Sequence, residues 1–502
     1  MSEFHGLRYG AGQRLQRGQA ILLIVILIAV GIGAAIWSMM DLASVTRSNA
    51  EARHNEAVLA QAKAALIGYA ASADIAGAGR PGDLPCPDVD DDGYAKVPED
   101  YPCNGSALGR LPWKTLGLPD LRDSDGERLW YAVSSNFKSN PRTPCATPGD
   151  PGCLNSDSRG TITVRSSAGA VINDGSNPNQ WTPSGVIAVL IAPGRVLQRQ
   201  GAAASQVRGC TVGVDCDATE RCTAAPVTLT PKCNPLNYLD VLVGIEDNAD
   251  FVDSNASNGF IGGEVRDASS NVIVNDRILT ITYEDLMPML QRRVAAEVLK
   301  CLNDYSAIAQ NGNRFPWAAP VATVSPPYAD AYSTRFGRVP DNLFNTQHGV
   351  PGGVATPPCG NPSLCMTNAW PASCGIVQGT WWNNWKDMVF YGLAEAYQPA
   401  DPVDLVSNGV PPSTGCGGGT ECLRVNPPST SYDKRVVVVV AGKRLYFSTD
   451  PPGPLGGQFR ATSAQKTNID NYLEDDNRNG AFAVSYTQQP VSAIFNDFVL
   501  FR

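Results

Sequence analysis

Asp88-Val89-Asp90-Asp91-Asp92-Gly93, continuing to Glu99 at the twelfth place, is the arrangement in this chain best suited to chemistry. Alternate carboxylates, then a glycine, then a glutamate supply hard oxygen ligands at the spacing of an EF-hand loop, and Ca²⁺ is the ion such a loop takes. The glycine permits the sharp turn that aims Asp88, Asp90 and Asp92 at one point, with Glu99 as the closing ligand. An EF-hand also needs a helix on each side. Pro85 and Pro87 precede this loop and Pro98 and Pro102 end it, so the expectation is an isolated calcium loop, with a solvated acidic turn as the alternative. Asp123-Ser124-Asp125-Gly126-Glu127 and Asp475-Asp476-Asn477-Arg478-Asn479-Gly480 are further oxygen-rich turns, and each is expected to be an Asx-turn.

Catalysis has little to build on. There is no G-x-S-x-G elbow, no H-E-x-x-H, no Walker loop and no dinucleotide fingerprint. Of three histidines, His5 and His54 stand near the N-terminus and His348 in a Gly/Pro loop. The expectation is a protein that is not an enzyme. Trp381-Trp382-Asn383-Asn384-Trp385 could stack on a sugar, but three tryptophans at a helix start more often anchor a core. Fourteen cysteines, many at short separations in loop-like sequence and none in a CxxC pair, favour disulfides over zinc and an oxidising compartment. Their connectivity is open. A net charge of -9 gives no basic surface to attract nucleic acid.

The elements that must carry these residues begin with the stretch from Ala20 to Met40, uncharged and apolar apart from Ser38. A run of ~20 apolar residues spans a hydrocarbon core of ~30 Å, and Arg8, Arg14 and Arg17 ahead of it favour a cytoplasmic N-terminus. From Asp41 to Ser72 there is one glycine, Gly68, and no proline. Val58, Ala62, Ala65, Leu66 and Tyr69 share a helical stripe. One helix from about Ala20 to about Ser72 would be roughly 80 Å long, first membranous and then amphipathic.

A basic leader ending in Arg17-Gly18-Gln19, an apolar helix and the amphipathic run from Leu59 to Ala70 together resemble the N-terminus of type IV pilins and type II secretion pseudopilins. The resemblance covers about the first 115 residues. It implies that a prepilin peptidase cuts between Gly18 and Gln19, that the partners are other pilins or pseudopilins, and that the helix sits in the inner membrane with the head in the periplasm or outside the cell in a filament. Two positions depart from the family: Gln19 stands where an aromatic is usual and Leu23 where an acidic residue is usual. Minor subunits that cap a filament also lack that acid. Calcium sites in pseudopilin heads add to the reading of the acidic loop. An uncleaved signal anchor, a cleaved secretory signal and a membrane-anchored adhesin that never enters a filament are the alternatives.

The same order of elements reads twice. Gly68-Tyr69 followed by Gly79-Arg80 and Leu84-Pro85 has a counterpart in Asp304-Tyr305 followed by Asn313-Arg314 and Phe315-Pro316. Leu129 to Val133 parallels Val389 to Leu393, and Val186 to Arg195 parallels Val436 to Arg444. Asn258-Gly259 and Asn275-Asp276 recur as Asn479-Gly480 and Asn496-Asp497 at the same interval. A repeat this long implies a duplicated domain, not a solenoid. Strands are expected at Thr161 to Arg165, Gly185 to Ala192, Leu239 to Gly244, Arg277 to Thr282, Arg435 to Ala441, Leu445 to Ser448 and Asp497 to Phe501, with a hairpin through Val440 to Leu445. A second helix is expected from about Glu284 to Ala309, with Pro288 in its first turn. The expected fold is α+β: a leader, 1–18; a transmembrane part, 19–40; a pilin-like helix on an antiparallel sheet, 41–283; and a duplicated helix-plus-sheet domain, 284–502, all rich in disulfides.

Overall fold

The computed structural model describes residues 46–72, 79–95, 108–138, 145, 153–176, 185–201, 205–209, 222, 232–252, 258–324, 326–343, 366–377, 381–399, 414–417, 419–445, 457–478, 484–492 and 494–502. Met1–Val58 and Leu59–Arg502 are its two compact units. A helix, α1, covers residues 46–71. Past residue 58 it buries Leu59, Ala62, Leu66 and Ala70, spaced three and four apart and so on one face. Among the described residues no helix is long and apolar enough to cross a membrane. The leader, Gly18-Gln19 and the apolar segment up to Met40 lie outside the described residues.

Leu108–Arg110 (β1), Trp130–Val133 (β2), Ala188–Ala192 (β3) and Arg277–Ile281 (β4) form an antiparallel sheet in that order. Every residue of β2 and β3 is buried, as expected of strands covered on both faces. On one face Lys63 of α1 donates to the Thr280 carbonyl of β4 at 3.0 Å. The other face builds a core from Trp130, Ala132, Val189 and Ile191 with Tyr238, Phe251 and Phe260.

Phe336–Arg338 (β5), Val389–Leu393 (β6), Val436–Val440 (β7) and Phe498–Phe501 (β8) repeat that sheet, again antiparallel and in chain order. Its helix, α2, runs Tyr283–Ser306 and packs across β7 and β8. Leu290, Val294, Val298, Cys301 and Tyr305 are buried along one stripe, as the sequence pattern predicts. Each half also holds a short parallel pair, Thr163–Arg165 with Gly259–Ile261 and Arg424–Asn426 with Ser485–Thr487. The fold is mixed α+β with several small sheets, and both halves belong to the one compact unit.

Local expectations differ from the structure in four places. Pro288 lies in the second turn of α2, because a capping box between Thr282 and Asp285 starts the helix at Tyr283. The proline therefore lacks the N–H that would meet the Glu284 carbonyl. No hairpin forms through Val440 to Leu445: β7 lies between β6 and β8, and Leu445 instead donates its N–H to the Gln458 side chain at 3.1 Å. The strand expected over Leu239 to Gly244 shrinks to Val241–Leu242, since Gly244 takes a φ of +81° and turns the chain. The Asn-Gly match fails as well: Gly259 opens a parallel-paired strand whose counterpart opens at Ser485, while Asn479-Gly480 lies outside the described residues. Disulfides join Cys145 to Cys153, Cys222 to Cys233, Cys416 to Cys422 and, across a separation of 73 residues, Cys301 of α2 to Cys374.

Candidate metal loop and a polar frame built twice

The acidic loop leaves the sheet beside β1. Asp88 exchanges both backbone hydrogen bonds with Arg110, at 2.9 and 2.7 Å, and its side chain is buried. The backbone N–H groups of Asp90 and Asp92 donate to Asp88 Oδ1 at 3.2 and 3.3 Å, and that of Gly93 donates to Oδ2 at 2.7 Å. These bonds wrap the loop around the first carboxylate. Gly93 sits at φ +88°, and a Cβ there would meet the Trp113 ring at 2.8 Å, so glycine is required on both counts. Carboxylate oxygens of Asp88, Asp90 and Asp92 lie within 4.8 Å of one another.

Burial pushes the Asp88 carboxyl up to about 8, with Asp91 and Asp92 adding like charge. A hard divalent cation among three oxygens would offset both costs, and the donor set fits Ca²⁺. Glu99, the expected closing ligand, lies outside the described residues. Asp91, the one acidic side chain of the run that is not at a ligand position, faces the other way. It sits at φ +62° and pairs with Arg128 at 2.9 Å and Lys232 at 3.1 Å. Cys222 donates its N–H to the Asp90 carbonyl at 2.9 Å, which ties the loop to the Cys222–Cys233 disulfide.

Other singled-out residues are structural in this fold. Trp381, Trp382 and Trp385 are buried, with Trp381 donating to the Gly375 carbonyl at 2.6 Å and Trp382 to Asp341 at 2.9 Å; none is placed to stack on a sugar. Asp123 makes an Asx-turn with Asp125 and Glu127, 2.9 Å to each N–H. Asp475–Arg478 is a short 3₁₀ turn. His348 lies outside the described residues.

The residues most tightly organised by the fold escaped the sequence reading. Asn237-Tyr238-Leu239-Asp240 and Asn471-Tyr472-Leu473-Glu474 stand at the same place in the two halves, each tyrosine ending a 3₁₀ turn whose asparagine cap, Asn234 or Asn468, accepts from the N–H two residues on. Asp276 Oδ2 accepts from the Asp240 N–H and from Asn248 Nδ2, both at 2.8 Å. Asp497 Oδ2 accepts from the Glu474 N–H at 2.9 Å and from Asn477 Nδ2 at 3.0 Å. Asn248 bridges to both backbone groups of Ile261, and Asn477 to both of Thr487. Arg208 donates to the Gly194 carbonyl and to Gln206, as Arg460 does to the Gly442 carbonyl and Gln458.

The match continues into the sheets. Tyr131 donates to the Pro85 carbonyl at 3.2 Å and Tyr391 to the Pro316 carbonyl at 2.8 Å. The Arg110 guanidinium lies over Trp130 and Tyr238, that of Arg338 over Phe390 and Tyr472. Ala319 exchanges backbone bonds with Arg338 where Asp88 does so with Arg110. The acidic loop thus belongs to one half only. Burial raises Asp240 to about 6 and Asp276 well above the carboxylate range; it also moves Glu474 upward and lifts Asp497 well above that range. At Asp276 and Asp497 the neighbouring carboxyl adds to the effect.

Comparison with family models, curated proteins and solved structures finds no match for this chain.

Proposed function

We propose that this chain is a minor pilin or pseudopilin subunit, which acts by assembly and not by turnover. The apolar segment from Ala20 would anchor it in the inner membrane and then pack among other subunits' helices, after a prepilin peptidase has cut between Gly18 and Gln19. The observation that carries the reading is the course of the chain after that segment: a helix that lays Leu59, Ala62, Leu66 and Ala70 into a head whose β4 it meets through Lys63. An amphipathic helix gripped by an antiparallel sheet is the arrangement expected where one rod must serve membrane and head in turn.

The second half supports a place at or near a filament tip. It repeats the helix-on-sheet pattern without a membrane segment, since Arg292, Arg293 and Lys300 interrupt α2. We read the two halves as a duplicated pilin-like domain, on the strength of the matched hydrogen bonds. A head of this bulk suits a single capping position better than a repeating one, and Leu23 cannot supply the acidic contact that successive major subunits make. Calcium in the Asp88, Asp90 and Asp92 loop would fix the edge of the head beside β1.

Shearing filaments from cells and probing the sheared fraction tests this reading. The subunit should appear there in small amount relative to the major pilin. Its confinement to the membrane fraction of cells that make filaments would favour an anchored adhesin.

A further inference from the structure

Two carboxyl groups meet in the interior of each half, Asp240 with Asp276 and Glu474 with Asp497, all four of them buried. Each pair grips its partner's backbone. The Asn275 N–H donates to Asp240 Oδ2 at 2.7 Å, and the Asn496 N–H to Glu474 Oε2 at 3.0 Å. In return the N–H groups of Asp240 and Glu474 donate to Asp276 Oδ2 and Asp497 Oδ2. Each junction thus ties the end of a 3₁₀ turn to the residues that lead into the last strand of its sheet, β4 or β8. β4 is the strand that Lys63 of α1 reaches, and β8 one of those on which α2 packs.

The carboxyl oxygens are unequally served. Asp276 Oδ2 and Asp497 Oδ2 each take two donors, whereas among the described residues none reaches Asp276 Oδ1 or Asp497 Oδ1, although both are buried. An ionised carboxylate can only accept, and two charged carboxylates side by side in a buried site repel. One proton answers both costs, and the hydrogen bond between the Glu474 and Asp497 side chains requires one. The nearby cations do not take its place. Arg208 and Arg460 face the pairs and Arg199 faces Asp240, but a neutral glutamine stands between arginine and acid in both halves. Gln206 accepts from Arg208 at 2.7 Å and donates to Asp240 Oδ1 at 3.1 Å; Gln458 accepts from Arg460 at 3.0 Å and donates to Glu474 Oε1 at 2.6 Å. Arg199 pairs with Asp247. The raised carboxyls described above agree with this arrangement. Asp240 in one half is matched by Glu474 in the other, so the frame keeps a pair of acids and not one particular side chain.

We propose that each pair keeps one proton between its two carboxyls at neutral pH and works as a proton-held latch, from which rising pH releases the lead-in to the last strand. An opened pair meets water and returns to ordinary carboxylate behaviour, so opening gives up the proton that the closed pair holds, and higher pH favours it. One proton per opening changes the opening equilibrium about tenfold per pH unit. The latch does not depend on filament assembly.

Hydrogen exchange of the full-length protein in detergent, read residue by residue from about pH 6 to about pH 8 and corrected for the intrinsic rise with base, tests the proposal. Opening at the Asp240 and Glu474 amides should increase about tenfold per pH unit, while Val189 and Val438 in the central strands β3 and β7 stay protected. Asp276→Asn and Asp497→Asn should each flatten that slope in their own half, because a carboxamide still accepts the two donors and turns a permanent N–H toward the neighbouring acid. A flat slope in the natural protein, an unchanged slope in the folded variants, or opening only together with Val189 and Val438 would overturn it. Should the variants not fold, the natural protein decides: a one-proton slope confined to the latch amides supports the proposal, and any other result overturns it.

Discussion

Asp88 does two jobs with one carboxylate. It accepts three backbone N–H bonds that shape the acidic loop, and it offers its remaining lone pairs toward Asp90 and Asp92. Calcium is therefore expected to stabilise the full-length protein, by ~2.7 kcal/mol when present at a hundred times its dissociation constant. Thermal melts with Ca²⁺ and with a chelator should differ for the natural chain and coincide for Asp88→Asn; a shift that survives the substitution would place calcium elsewhere. Asp240 makes a second prediction. Burial lifts its folded pKa to about 6, above the ordinary aspartate value of 3.8, so the folded state holds the proton longer than the unfolded one. The stability this gives is complete below about pH 4 and is lost as pH rises through about 6, a change of roughly 3 kcal/mol. Denaturant midpoints measured across that window should fall, and fall less in Asp240→Asn. Of these residues the acidic loop was legible because metal ligands come at fixed spacings. The carboxyl pairs were not, because Asp240 and Asp276 meet through folding and no local pattern marks them. Even so, the recurrence of Asn-Tyr-Leu followed by an acid could have been noticed.

Helices and central strands follow from patterns that a sequence displays. The stripe from Leu290 to Tyr305 is buried as its spacing requires, and the runs Ala188–Ala192 and Val436–Val440 are inner strands as their apolar content requires. What local signals mispredict is decided at a distance. Gly442 suggested a hairpin, but the chain there is occupied with Asn496, which donates to the Lys443 carbonyl at 2.7 Å, and with Arg460, which binds the Gly442 carbonyl at 3.0 Å. Pro288 suggested a helix start, but the capping box at Thr282 outweighs it. Leu290 gives the test at this scale. It is fully buried and lies against the backbone of Gly82, where an added Cβ would come within 2.9 Å of its side chain. Leu290→Ala should cost about 2–5 kcal/mol by leaving a cavity between α2 and the first half. Chemical denaturation measures this, and a loss well under 1 kcal/mol would mean that the contact is loose.

The two halves share one compact body, and polar contacts pin them together. Asn384 accepts from the Leu154 N–H at 2.9 Å and its carbonyl accepts from Asn155 Nδ2 at 2.9 Å, while Asp157 reaches Arg460 across the same junction. Asn384→Ala would leave a buried N–H without a partner, at a cost of about 1–3 kcal/mol. Scanning calorimetry should show the single transition of the natural protein broadening or splitting as the halves uncouple; an unchanged transition would mean that the apolar contacts suffice. Beyond the folded head, the function proposed for the chain depends on its entry into the pilin pathway. The most direct test is the intact mass and N-terminal sequence of the protein made in its own membrane, with and without an active prepilin peptidase. Entry into the pilin pathway predicts a start at Gln19 that depends on the peptidase. An uncleaved Met1 terminus in both strains would contradict it and leave a plain signal anchor.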